Sequence, residues 1–172
     1  MTVRTSTADF ADTLRRFIRL VTTDEPPTLL ELARALDEMA MLVHDTPAGK
    51  LSDQDVDPPG RDYDDYKARY DKLGPRFPEL GQYAVVDPVS DLPAEPMLGD
   101  PIDDLADIVG DLSAVIWRYE NVGPEEAIWY FQFHFQVHWG RHLRELSLYL
   151  HALMGAKGSW DGSYEDEYTE AD

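Results

Sequence analysis

Ala127-Ile128-Trp129-Tyr130-Phe131-Gln132-Phe133-His134-Phe135-Gln136-Val137-His138-Trp139-Gly140-Arg141-His142 is the stretch whose reading decides the fold. Its first half is apolar on almost every side. A helix without a polar face has to be enclosed by its neighbours. The sequence therefore predicts a last helix over 124–154 that forms the centre of a bundle. In the second half His134, His138 and His142 recur every fourth residue. At about 100° per residue, each step of four turns only about 40°, so the three imidazoles project from one narrow stripe, shared with Phe131 and Phe135.

Just upstream, the boundaries of the preceding helix are written plainly. Asp100 serves as cap and Pro101 takes the first helical position. Leu105, Ile108, Leu112, Val115 and Tyr119 then share one face, and Asn121-Val122-Gly123 ends the run. Pro124 restarts the chain, with Glu125 and Glu126 at the positive end of the next helix. So short a turn makes the two helices antiparallel neighbours. Asp104, Asp107 and Asp111 lie within an arc of about 60° along the edge of the apolar stripe, on the helix held against the histidines.

Further upstream, Phe10, Leu14, Phe17 and Val21 mark a first helix behind a Ser6/Thr7 cap. Leu29, Leu32, Leu36, Met39 and Val43 mark a second, opened by Thr28 and Glu31 as a capping box. The proline-bearing segment 46–60 can only be a loop. Tyr63, Tyr66, Tyr70 and Leu73 give a third helix. The long connection 74–100 carries five prolines around Tyr83-Ala84-Val85-Val86, which is expected to lie extended against the bundle. No window of four or more residues alternates as a half-buried strand does. The expected fold is all-α: a mostly antiparallel five-helix bundle around a central C-terminal helix, over 1–154. The acidic segment 155–172, with Trp160, Tyr164 and Tyr168 scattered through it, is expected to be a mobile tail.

Thirty-four acidic against fifteen basic residues give a formal charge of −19 over 172 residues. Such a surface repels nucleic-acid phosphates and anionic membranes, while it can dock on a basic protein or simply keep the chain soluble. Cysteine is absent, which removes disulfides, thiolate zinc sites and a cysteine nucleophile together. The N-terminus lacks an apolar leader core, and no stretch approaches the roughly 18 uncharged residues of a membrane span. A soluble cytoplasmic protein is expected.

The candidate site consists of His138, His142 and His134 with Asp104, Asp107 and Asp111, and of Trp139 beside them. Two histidines four apart on a helix can chelate one metal, with His138 and His142 as the pair, and facing aspartates would complete a mixed oxygen and nitrogen set suited to iron, manganese or zinc. The same aspartates can instead accept hydrogen bonds from buried imidazoles. No glutamate follows either histidine as a hydrolytic zinc helix requires, and the Glu-x-x-His pairs of di-iron bundles do not occur in these two helices. Trp139 and Trp129 read as core. Gly140, costing about 1 kcal/mol in mid-helix, suggests close approach by another helix or by the Tyr83–Val86 segment.

The run Asp103-Asp104-Leu105-Ala106-Asp107-Ile108 to Asp111-Leu112, followed by Ala127-Ile128-Trp129, Phe135 and His138-Trp139-Gly140-Arg141-His142, resembles an uncharacterised bacterial family, the domain of unknown function numbered five thousand and sixty-three. Tyr83 to Pro88 is similar to that family's aromatic-Val-Asp-Pro segment. The resemblance implies a small cytoplasmic helical protein of bacteria and brings no activity with it.

Two classes of function follow, with no reaction specified and enzymatic activity left open. The first is a non-enzymatic intracellular protein that binds another, basic protein and needs no cofactor. The alternative is a metal-binding or metal-dependent protein using the histidines and aspartates named above. A third idea is that the acidic surface imitates DNA.

Overall fold

The structure is a computed structural model that describes residues 7–54 and 56–157. Six α-helices follow in chain order: α1 Thr7–Thr22, α2 Leu29–Asp45, α3 Tyr63–Leu73, α4 Pro101–Asn121, α5 Pro124–Val137 and α6 Trp139–Lys157. A 3₁₀ turn, Gly74–Arg76, follows α3. Two short strands, β1 Tyr83–Val85 and β2 Met97–Gly99, pair antiparallel with Ala84 opposite Leu98. The all-helical class holds, and the extended centre of the long connection is β1. Three-residue strands are too short for an alternating pattern to show in sequence.

Caps and stripes form as their residues dictate. Thr28 and Glu31 complete the capping box of α2, with Glu31 N–H donating to Thr28 Oγ1 at 3.2 Å and Thr28 N–H to Glu31 Oε2 at 2.8 Å. Asp100 accepts from the Ile102 and Asp103 amides at the start of α4. Phe10, Leu14, Phe17 and Val21 of α1 are buried, as is the α4 stripe from Leu105 to Val115. Ser6 of the expected first cap lies outside the described residues. So does most of the acidic segment, while α6 runs to Lys157, past the expected boundary at 154.

Two expectations are corrected. The predicted last helix is two helices, broken at His138, whose φ of −146° and ψ of −88° leave the helical region. Buried residues of the two halves meet across the break, with the rings of Phe131 and Trp139 5.0 Å apart. Beyond the kink α6 continues along α4 in the direction of α5, from His134 beside Asp111 to His142 beside Asp104, and buries Trp139, whose indole N–H donates to the Phe131 carbonyl at 3.2 Å, together with Leu143, Leu146, Leu150 and Met154. Gly140 sits just past this kink: a Cβ there would fall 2.1 Å from the Phe135 carbonyl oxygen. What approaches Gly140 most closely is thus the last turn of the preceding helix, at Phe135, and not the Tyr83–Val86 segment.

The second correction concerns the centre. Helix α4 packs against α1, α3, α5 and α6 and is buried along most of its length, so it is the central element. Helix α5 lies at the surface, with Phe133 43% and Val137 60% exposed and Trp129 half-buried, stacked on Phe133. Its apolar outer face is not enclosed by the described residues. Among those residues no helix is long and apolar enough to cross a membrane.

Candidate functional site

The central position of α4 buries two carboxylates. Asp104 and Asp111 are almost wholly enclosed, and Asp107 between them is half-buried. Buried carboxylates need hydrogen-bond donors, and the broken helix supplies them at and after its break. His138, at the junction, donates from Nδ1 to Asp111 Oδ2 at 2.7 Å. His142, on α6, donates from Nδ1 to Asp104 Oδ1 at 2.8 Å. Their other ring nitrogens face the same atom: His142 Nε2 lies 3.3 Å and His138 Nε2 4.0 Å from Asp107 Oδ2. The two imidazoles stand edge to face, with centroids 5.1 Å apart.

His134, on α5, takes a different part. Its Nδ1 is 3.3 Å from Asp111 Oδ1 but lacks the alignment of a hydrogen bond, and its ring is stacked on Tyr130 at 3.9 Å. Trp139, expected beside the histidines, is fully buried in the core against Phe131 and Phe135 and does not join the site. Of the seven expected residues the structure thus brings six together around α4.

Further residues complete the arrangement that spacing alone did not reveal. Tyr83, on β1, donates from its hydroxyl to Asp104 Oδ2 at 2.5 Å, and its ring stacks on Tyr149 of α6 at 4.6 Å. Tyr66, on α3, hydrogen-bonds Asp103, and Tyr70 one turn later donates to Asp100 Oδ2 at 2.7 Å. Arg61, in the loop before α3, reaches Asp111 Oδ1 at 2.5 Å. The tyrosine stripe of α3 was legible. That its hydroxyls meet the first turn of α4 follows from how the two helices pack, which no local pattern encodes.

The electrostatics divide by partner. Burial alone would raise the Asp111 carboxyl, but His134, His138 and the Arg61 guanidinium outweigh it and hold Asp111 well below the usual carboxylate range. Burial wins at Asp104 and Asp107, whose carboxyls are raised. His138 is raised by its hydrogen bond to Asp111. For His142, burial lowers the ring but Asp104 and Asp107 outweigh it, so His142 is raised as well. The Tyr83 hydroxyl is pushed up by burial and by Asp104, and stays a donor. The site as a whole favours positive charge at the imidazole edges.

Helix α4 also carries Gly110 in its interior, where glycine costs about 1 kcal/mol relative to alanine. The space it leaves is taken by Arg69 of α3: a Cβ at 110 would lie 2.8 Å from Arg69 Nη2 and 3.1 Å from its Cζ. The guanidinium is fixed there by donating from Nη1 to the Gly60 carbonyl at 2.8 Å and from Nε to the Ala106 carbonyl at 3.3 Å.

The described residues thus form a six-helix bundle whose central helix carries the aspartates that the imidazoles of α5, the junction and α6 face. The chain belongs to the family described as Domain of unknown function (DUF5063), which it matches over residues 2–155. Among solved structures it is similar to protein BF1032 from Bacteroides fragilis, with a TM-score of 0.62 and 16% sequence identity over 95% of each chain, a likeness that shows the shared fold. No curated protein matches the sequence.

Proposed function

We propose that the protein binds one divalent transition-metal ion through Asp107, His138 and His142. The observation that carries this reading is the division of labour within each imidazole. Both Nδ1 atoms are held by enclosed carboxylates, Asp111 and Asp104, while both Nε2 atoms converge on Asp107 Oδ2. Metal-ligating histidines are usually oriented in this way, their second nitrogen donating to a carboxylate that fixes the tautomer and raises ligand basicity. With metal–ligand bonds of about 2.0–2.2 Å, neighbouring donors stand roughly 3.0–3.5 Å apart. The 3.3 Å contact of His142 falls within that range, and the half-exposed His138 has to close by less than 1 Å from 4.0 Å. Two imidazoles with one carboxylate suit iron, manganese, cobalt or zinc and leave coordination positions open.

Elemental analysis of untagged protein tests the reading. About one transition-metal ion per chain is expected, lost in Asp107→Ala and in His142→Ala. A chain without stoichiometric metal, whose melting is unmoved by added metal or chelator, overturns it.

A second reading has an observation of its own. Trp129, Phe133 and Val137 recur every fourth residue on the outer face of α5, an apolar stripe in an otherwise acidic protein. Such a stripe suits contact with another protein. In-cell crosslinking tests it: a partner lost in Phe133→Asp supports the contact, and identical crosslinks in wild type and variant overturn it.

A further inference from the structure

A cleft of about 230 Å³ opens beside Asp107 and His138, walled by Arg61, Tyr66, Arg69 and Gly110. Its chemistry is unusual for so acidic a chain, because two guanidiniums face one small space. Arg61 is committed through Nη1 to Asp111, and Arg69 through Nε and Nη1 to backbone carbonyls. Among the described residues, Arg69 Nη2 and Arg61 Nη2 donate to no protein acceptor. Arg69 reaches this position only because residue 110 has no side chain.

We propose that this cleft takes a small organic monoanion, its carboxylate held by Arg61 and Arg69 and its other end at the open face of the metal bound by Asp107, His138 and His142. The inference rests on the metal reading and adds a ligand class to it. The unspent guanidinium N–H groups of Arg61 and Arg69 support an anion, and a divalent ion held by Asp107 offsets the negative charge of the aspartates that line the same cleft. Volume sets the size. At roughly 30 Å³ for each water-sized group, the space seats on the order of eight non-hydrogen atoms, the size of a short-chain acid. Geometry supports a carboxylate, whose two oxygens match the planar fork of a guanidinium.

Visible absorption of the Co²⁺-loaded protein separates the two readings, with Co²⁺ alone as the first probe, glycolate as the second and its neutral analogue glycolamide as control. Glycolate is expected to perturb the cobalt bands and glycolamide to leave them unchanged. Arg69→Gln is expected to weaken glycolate by about tenfold or more, the worth of a charge-assisted contact, with Co²⁺ affinity changed less than about threefold. Gly110→Ala, which displaces the guanidinium without removing it, is expected to act in the same direction and decides the matter where Arg69→Gln fails to fold. If cobalt binds but glycolate leaves its bands unmoved, or glycolamide binds as well, or neither variant weakens glycolate, the anion seat is overturned and the metal site stands. Failure of cobalt to bind overturns both.

Discussion

Asp111 is the side chain on which the site turns, since one enclosed carboxylate holds His138 by hydrogen bond and Arg61 by ion pair. Asp111→Asn keeps the shape and removes the charge that fixes the His138 tautomer. Loss of such an outer partner typically costs about 10–100-fold in metal affinity, and that loss is expected in a Co²⁺ titration. The same change is expected to lower the unfolding free energy by about 1–3 kcal/mol, the cost of a buried polar group left short of its partner, read from the denaturation midpoint in urea. Arg61 and His138 both reach water, which keeps the cost below that of a fully buried ion pair. An unchanged cobalt affinity would show that Asp111 does not orient a ligand. His134 makes the contrast, because it packs on Tyr130 and lacks a hydrogen bond to Asp111. His134→Gln is expected to leave cobalt affinity within about threefold, whereas a tenfold loss would restore it to the ligand set. The spacing of His134, His138 and His142 against Asp104, Asp107 and Asp111 made this ladder legible in the sequence. Arg61, Arg69 and Tyr83 were not legible, because they come from loop, helix face and strand with no period relating them to α4.

At the scale of elements, what sequence conveys depends on whether the cause is local. The limits of α4 were legible because Asp100, Pro101 and Gly123 act within a few residues of themselves. The break between α5 and α6 was not, because the contacts that accompany it, Phe131 with Trp139 and Phe135 with Gly140, form only in the folded chain, and its one local sign was Gly140. In an unbroken helix Gly140→Ala would stabilise by about 1 kcal/mol. In the broken one the new methyl meets the Phe135 carbonyl oxygen, backbone that cannot move aside cheaply, and the variant is expected to lose about 1–3 kcal/mol as overpacked sites do. The sign of the midpoint shift in urea therefore decides between the two architectures. The capping box of α2 makes a separate prediction in pH. Hydrogen bonds from the Thr28 amide and hydroxyl lower the Glu31 carboxyl below its ordinary value of 4.5. A group depressed on folding contributes stability that is present above its unfolded value and is lost as pH falls through its folded value. The melting temperature of wild type is thus expected to exceed that of Glu31→Gln at pH 7, with the gap closing below pH 4.5. A gap that persists at acid pH would mean the carboxylate charge is not what stabilises the cap.

Across the whole molecule two electrostatic effects act on stability and can be told apart. A formal charge of −19 makes the folded chain repel itself, and salt screens that repulsion, with a Debye length that falls from about 10 Å at 0.1 M to about 3 Å at 1 M. Added salt is therefore expected to raise the melting temperature of wild type and of His142→Ala alike. A metal ion held by Asp107, His138 and His142 acts otherwise, since it ties α4 to the α5–α6 junction and to α6 and is absent from the unfolded chain. Such linkage stabilises by about 2.7 kcal/mol at a free ion concentration one hundred times the dissociation constant. In a domain of this size that corresponds to roughly 5–10 °C, at about 2–4 °C per kcal/mol. Differential scanning fluorimetry in Mn²⁺, Co²⁺ or Zn²⁺ is expected to show a rise of this order in wild type, reversed by chelator and absent in His142→Ala, on top of the shared response to salt. If metal raised both proteins equally, its effect would be only that of any cation on an acidic surface, and the convergence of two imidazoles on Asp107 would be a device for satisfying buried carboxylates rather than for seating an ion.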